Sequence, residues 1–134
     1  MSKDWVKDIK DMQTKYGTRE WVEKNPQQLK RFLEFRIDFL KEELDETESA
    51  LINMDSEEIV DGLIDLCVVA IGTLDAFGVN PYKAWDEVLR ANMAKEVGVK
   101  ESRPNPLGMP DLTKPEDWEG PSHIDNHGKL NDIR

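Results

Sequence analysis

The sequence has little of what disulfide-bonded, nucleic-acid-binding and membrane proteins are built from. Its single cysteine, Cys67, excludes an intramolecular disulfide and every cysteine-cluster metal site, and agrees with a reducing compartment. Bases are scarce: 18 Lys and Arg stand against 28 Asp and Glu, a net charge of −10. A nucleic acid or an anionic membrane surface calls for basic patches, so neither is expected as a partner. No apolar run approaches the ~18 residues of a membrane span, and the opening MSKDWVKDIK lacks the apolar stretch of a signal peptide. A soluble, cytoplasmic protein is the expectation. Apolar residues reach 38% of 134, enough for one small core that oligomerisation would complete.

Turn signals are few before residue 96 and dense after it. Five of the seven prolines and four of the eight glycines fall in the last 39 residues. This predicts a helical domain over 1–96 and an irregular tail over 97–134, packed on the body or on a partner subunit through Leu107, Met109, Leu112 and Trp118. Within the domain there is no sustained period-2 alternation. Helices are expected over Lys3–Lys15, around Arg19–Glu23, and from Pro26 to about Ile52 with Leu29, Leu33, Ile37, Leu40, Leu44 and Leu51 on one side. Another runs from a cap at Asp55 or Ser56 to about Phe77, and a last one opens at Asn80-Pro81. The fold class is all-α: an antiparallel bundle of four to five helices.

Charge is concentrated. Asp38 to Asp65 holds eleven acids and one base, Lys41, and so carries a net charge as large as the whole chain's. An acidic run is ordinarily a solvated helix face. Here the spacing sets part of it apart. The row Phe32, Phe35 or Arg36, Phe39 continues by helical steps onto Glu43 and Glu46. Glu42 neighbours Glu43, giving E-E-x-x-E at 42–46. In the next helix, GLIDLCVVAIGTL contains only one charge, Asp65, with Asp61 and Glu58 each about a turn earlier on the same face. A helix apolar all round is normally buried, and an ionised Asp there is costly unless paired or bound to metal. Val68, Gly72 and Ala76 would let a neighbouring helix come close. Packing the two helices together gathers up to six carboxylates that cannot all ionise cheaply. A divalent cation resolves that conflict, and oxygen-only ligands favour Mg²⁺ or Mn²⁺. The alternative is a protonated or hydrogen-bonded Asp65 with the glutamates on the surface.

E-E-x-x-E, then Glu58-x-x-Asp61 and Asp65, resembles the MazG-like all-α nucleoside triphosphate pyrophosphohydrolases, whose relatives include the phosphoribosyl-ATP pyrophosphohydrolases. DGLIDLCVVAIGTLDAFGVN followed by RANMAK looks like the short single-domain members common in bacteriophages, and the resemblance covers roughly residues 29–115. One departure stands out. The family's E-x-x-D ends on an Asp thirteen residues before the Gly that closes the helix, which selects Asp65 and leaves Gly62 where its Glu partner belongs. Asp61, or Glu58 with Asp61, then takes that role a turn away.

The resemblance implies hydrolysis of an NTP or dNTP to the monophosphate and pyrophosphate with Mg²⁺, by a homodimer or homotetramer. Glu43, Glu46, Glu58, Asp61 and Asp65 would hold metal. Glu42, with Lys41 beside it, forms the catalytic pair. Arg90, Asn92, Lys95, Lys114 and Trp118 are the expected substrate contacts. Arg90, Asn92 and Lys95 equally suit a helix end where bases offset the macrodipole. Trp118 either stacks on the base or anchors the tail, with anchoring favoured. His123 and His127 fall in a Gly/Pro/Asn-rich segment read as mobile, and Cys67 as an apolar filler. A non-catalytic helical dimerisation module and a phosphoribosyl-ATP pyrophosphohydrolase are the rival readings.

Overall fold

The computed structural model describes residues 3–99, 107–108 and 111–134; Met109 lies outside them. Five α-helices dominate: α1 (Trp5–Lys15), α2 (Thr18–Lys24), α3 (Leu29–Ile52), α4 (Ser56–Ala76) and α5 (Pro81–Met93). Contacts divide the chain into two compact units, residues 1–81 with 127–134, and residues 82–126.

The helices of the first unit begin and end where local chemistry dictates. The Asp4 carboxylate accepts from the Lys7 amide at 3.0 Å and caps α1. Asp55 does the same for α4, accepting from the Glu58 amide at 3.2 Å. Pro26 opens a 3₁₀ turn, Pro26–Gln28, that leads into α3. Beyond α4, Gly78 takes φ +74°, a left-handed conformation that stops the helix at no steric cost. Only Asn53–Asp55 separate α3 from α4, so the two form an antiparallel hairpin, and no other pair of elements packs so extensively.

The core lies at one end of this hairpin. Val22, Leu29, Ala76, Phe77 and Val79 are buried, with Phe32, Leu33, Leu74, Leu130 and Ile133 packed on them. Phe32 meets Phe77 edge-on at 5.6 Å and Trp21 at 5.8 Å. Arg19 on α2 reaches Asp75 on α4 at 3.5 Å.

In the single chain Leu44, Leu51, Val60, Leu63 and Ile64 are all at least 43% exposed, because the core fills only the end where α2 and the C-terminal residues close on the hairpin. Three expectations are corrected. The segment after residue 96 is not wholly irregular. β1 (Glu96–Gly98) pairs antiparallel with β2 (Asp111–Thr113), Val97 opposite Leu112. Such three-residue strands are too short to show alternation in sequence. The histidine segment is held. A 3₁₀ turn, Gly128–Asp132, brings Leu130 and Ile133 onto the core, and the Lys129 amide donates to the Phe77 carbonyl at 2.7 Å. Leu107, expected to pin the tail, is 83% exposed.

In the second unit Trp118 Nε1 donates to the Ala91 carbonyl at 2.7 Å, and Glu87 accepts from the Ser122 amide at 3.2 Å, so the segment after β2 is tied to α5. No single helix among the described residues is long and apolar enough to cross a membrane.

Candidate active site

The α3–α4 hairpin sets two acidic rows against each other. Glu43 is the centre. Its Oε2 is buried with no hydrogen-bond partner, although the residue as a whole is half-buried. That burial pushes the Glu43 carboxyl above its ordinary range, and the charges of Asp65, Glu46, Glu42 and Asp61 push it the same way. Four of the acids singled out in the sequence are thus within electrostatic reach of Glu43.

The packing here is close for a local reason. Thr47, one turn beyond Glu43, turns its hydroxyl back to the Glu43 carbonyl at 2.8 Å. Gly62 of α4 lies directly against Thr47, and a Cβ there would overlap Thr47 Oγ1. The position at which the family pattern places a glutamate is therefore a point of helix contact with no room for one.

Glu58 and Lys41 line an open cavity of about 570 Å³ with Glu42, Glu46, Asp38 and Asp55. Lys41 is the sole base on that lining. The oxygens that could hold a hard cation are those of Glu43, Glu46, Asp61 and Asp65, with Glu58 along the cavity. Among the described residues no three of these side chains already converge to metal-holding distance. Mutual repulsion keeps unneutralised carboxylates spread.

The expected substrate contacts lie in the second unit. Arg90 Nε pairs with Glu87 at 3.1 Å, and its Nη2 donates to the Gly120 carbonyl at 3.0 Å. Lys95 and Lys114 hold their ammonium groups 5.4 and 4.9 Å from the centre of the Trp118 ring. Asn92 is exposed, and its backbone carbonyl accepts from the Lys95 amide. Trp118 donates its indole N–H to the Ala91 carbonyl at 2.7 Å.

Sequence reasoning passed over two polar groups of the first unit. Arg36, in the sequence only a possible member of an aromatic row, reaches from α3 to bond Thr73 and Val69 of α4. The signal was a base exactly seven residues before Glu43 in an otherwise apolar stripe. Asp75, beside Arg19, is buried with Oδ2 unpartnered, and its position at the end of an apolar helix was the only hint.

The class follows from the family match: the all-α hairpin with its acidic rows belongs to the MazG-like nucleoside triphosphate pyrophosphohydrolase superfamily. Within that class, the model of the phosphoribosyl-ATP pyrophosphohydrolase family matches residues 9–92, well over half of the chain, and the chain belongs to that family. It is a pyrophosphohydrolase acting on phosphoric anhydride bonds, which sets aside the non-catalytic module. The match includes the candidate-site carboxylates, Arg36, Arg90 and Asn92 and stops short of Lys95, Lys114 and Trp118. No curated protein and no solved structure matches the chain.

Proposed function

We propose that the chain cleaves the α–β anhydride of a nucleoside triphosphate with Mg²⁺, releasing a monophosphate and pyrophosphate, and that phosphoribosyl-ATP is the substrate. The family match supports this substrate over plain NTPs and dNTPs, the substrates that the resemblance to MazG-like enzymes implies. The observation that carries the site is Glu43 Oε2, a buried carboxylate oxygen without a partner, in a carboxyl group that four further acids act on electrostatically. An oxygen-only donor set with an orphaned member fits a hard divalent cation. Glu43, Glu46, Asp61 and Asp65 would hold it, with Glu58 at the cavity side. When bound, Mg²⁺ supplies charge neutralisation for the triphosphate oxygens and lets a polyanion approach an acidic surface.

The chain's own groups do the rest. Glu42, adjacent to Glu43 and open to the cavity, takes a proton from the attacking water, whose oxygen ends on one product as the α–β bond breaks. Lys41 on the same lining faces the phosphates. Arg90, Asn92, Lys95, Lys114 and Trp118 remain the proposed further substrate contacts. The exposed Val60, Leu63 and Ile64 of α4 support a homodimer or homotetramer.

One screen tests the proposal: pyrophosphate release from phosphoribosyl-ATP and from the eight common NTPs and dNTPs, with Mg²⁺, Mn²⁺ or EDTA. Highest kcat/KM on phosphoribosyl-ATP, abolished by EDTA, is expected. A preference for a dNTP would favour the second reading, which rests on the likeness of DGLIDLCVVAIGTLDAFGVN to short phage members. No release from any of them would sink both. Asp65→Asn should lose most of the activity. Glu42→Gln should lower kcat by about 10²–10⁴-fold.

A further inference from the structure

Arg36 and Glu43 lie on one face of α3, seven residues or two turns apart, about 10 Å. On α4, Gly72 stands seven residues beyond Asp65. The antiparallel pairing that sets Asp65 near Glu43 therefore sets Gly72 near Arg36, and the contact is direct. A Cβ at Gly72 would stand 2.8 Å from Arg36 Nη2 and 3.2 Å from Gln13 Oε1. Arg36 fills this notch in a fixed pose. Its Nε donates to Thr73 Oγ1 at 2.9 Å and its Nη2 to the Val69 carbonyl at 3.3 Å. The rings of Phe32 and Phe39 flank its guanidinium at 5.8 and 6.0 Å.

No carboxylate among the described residues neutralises this group, and burial alone shifts its pKa, downward. A half-buried cation with no carboxylate partner is a poor choice for structure alone, since an apolar side chain would fill the seam more cheaply. The bonds to Thr73 and Val69 use Nε and Nη2 and leave Nη1 free to meet a ligand, in an environment that strengthens any hydrogen bond it makes. Two turns along the same seam is the span between the phosphates of a nucleotide and its base. Guanidinium offers donors only, which suits the acceptor atoms of a base edge.

We infer that Arg36, seated in the Gly72 notch, binds the nucleobase end of the substrate and governs which base is accepted. The inference rests on the carboxylates taking the phosphate end. It makes Arg36 a specificity residue, remote from the bond that breaks.

Nucleoside 5′-monophosphates and inorganic pyrophosphate, titrated separately into the Mg²⁺-loaded chain by calorimetry, test it. Arg36→Gln should weaken the tightest monophosphate by about tenfold or more, the worth of one charged hydrogen bond, and leave pyrophosphate within about twofold. Preference among bases should flatten. In turnover, KM should rise with kcat little changed. Gly72→Ala keeps the charge but pushes the guanidinium from its notch, and should act in the same direction. If Arg36→Gln does not fold, Gly72→Ala decides. Unchanged monophosphate binding, or equal losses for monophosphate and pyrophosphate, overturns the inference. A wild-type chain that binds no monophosphate also overturns it. Monophosphate binding lost in the variants, alongside a wild type that cleaves no triphosphate, upholds Arg36 while the hydrolase proposal fails.

Discussion

Glu43 links the chemistry of the site to the stability of the chain. Its folded-state pKa is raised above the ordinary value of 4.5, so the native state holds this proton more tightly than the unfolded state does. Ionisation of Glu43 therefore costs native stability at neutral pH, and the cost vanishes below the unfolded pKa. Glu43→Gln is expected to raise Tm at pH 7 in the metal-free chain, with the gain disappearing by about pH 4. The same variant should abolish the rise in Tm that Mg²⁺ gives the wild type. Equal melting of variant and wild type across this pH range, followed by scanning fluorimetry, would refute the electrostatic account. The facing of Glu43 and Asp65 was legible because helical steps from Phe32 through Phe39 land on it. Which oxygen is buried was not legible, and neither was the seat of Arg36, since both depend on the depth of contact between two helices.

At the scale of elements, the α3–α4 hairpin depends on Gly62 and Thr47. A methyl at residue 62 would overlap Thr47 Oγ1, and the β-branched threonine has little rotamer freedom with which to retreat. Gly62→Ala should cost about 1–2 kcal/mol, overpacking outweighing the better helix propensity. Thr47→Ala in the same chain should recover most of it, and urea titration of the single and double variants reads the coupling. The helices themselves were readable from local signals: the cap Asp55, prolines 26 and 81, and the glycines that follow α1 and α4, though the cap at Asp4 starts α1 two residues later than expected. β1, β2 and the Gly128–Asp132 turn were not, because elements of three to five residues carry no periodicity and exist through contacts distant in sequence.

At the scale of the whole molecule, the α4 face of Val60, Leu63 and Ile64 faces solvent in a single chain. Self-association through this face should be broken by Leu63→Asp, giving a monomer by light scattering at concentrations where the wild type is larger; an unchanged mass would place the contact elsewhere. The first unit also depends on its last eight residues. Removing 127–134 strips Leu130 and Ile133 from the core and should cost about 3 kcal/mol in urea unfolding. Gly128→Ala should weaken the same closure, since Gly128 has φ +52° and a Cβ would strike the Phe77 carbonyl.

That closure orders events on the ribosome. A nascent chain carries every other piece of the Phe77 core by the time residue 81 is added, yet Leu130 and Ile133 arrive only after the whole of 82–126 has been translated. Throughout that interval the emerging polypeptide displays an unsealed greasy surface, and chaperone engagement should be strongest then.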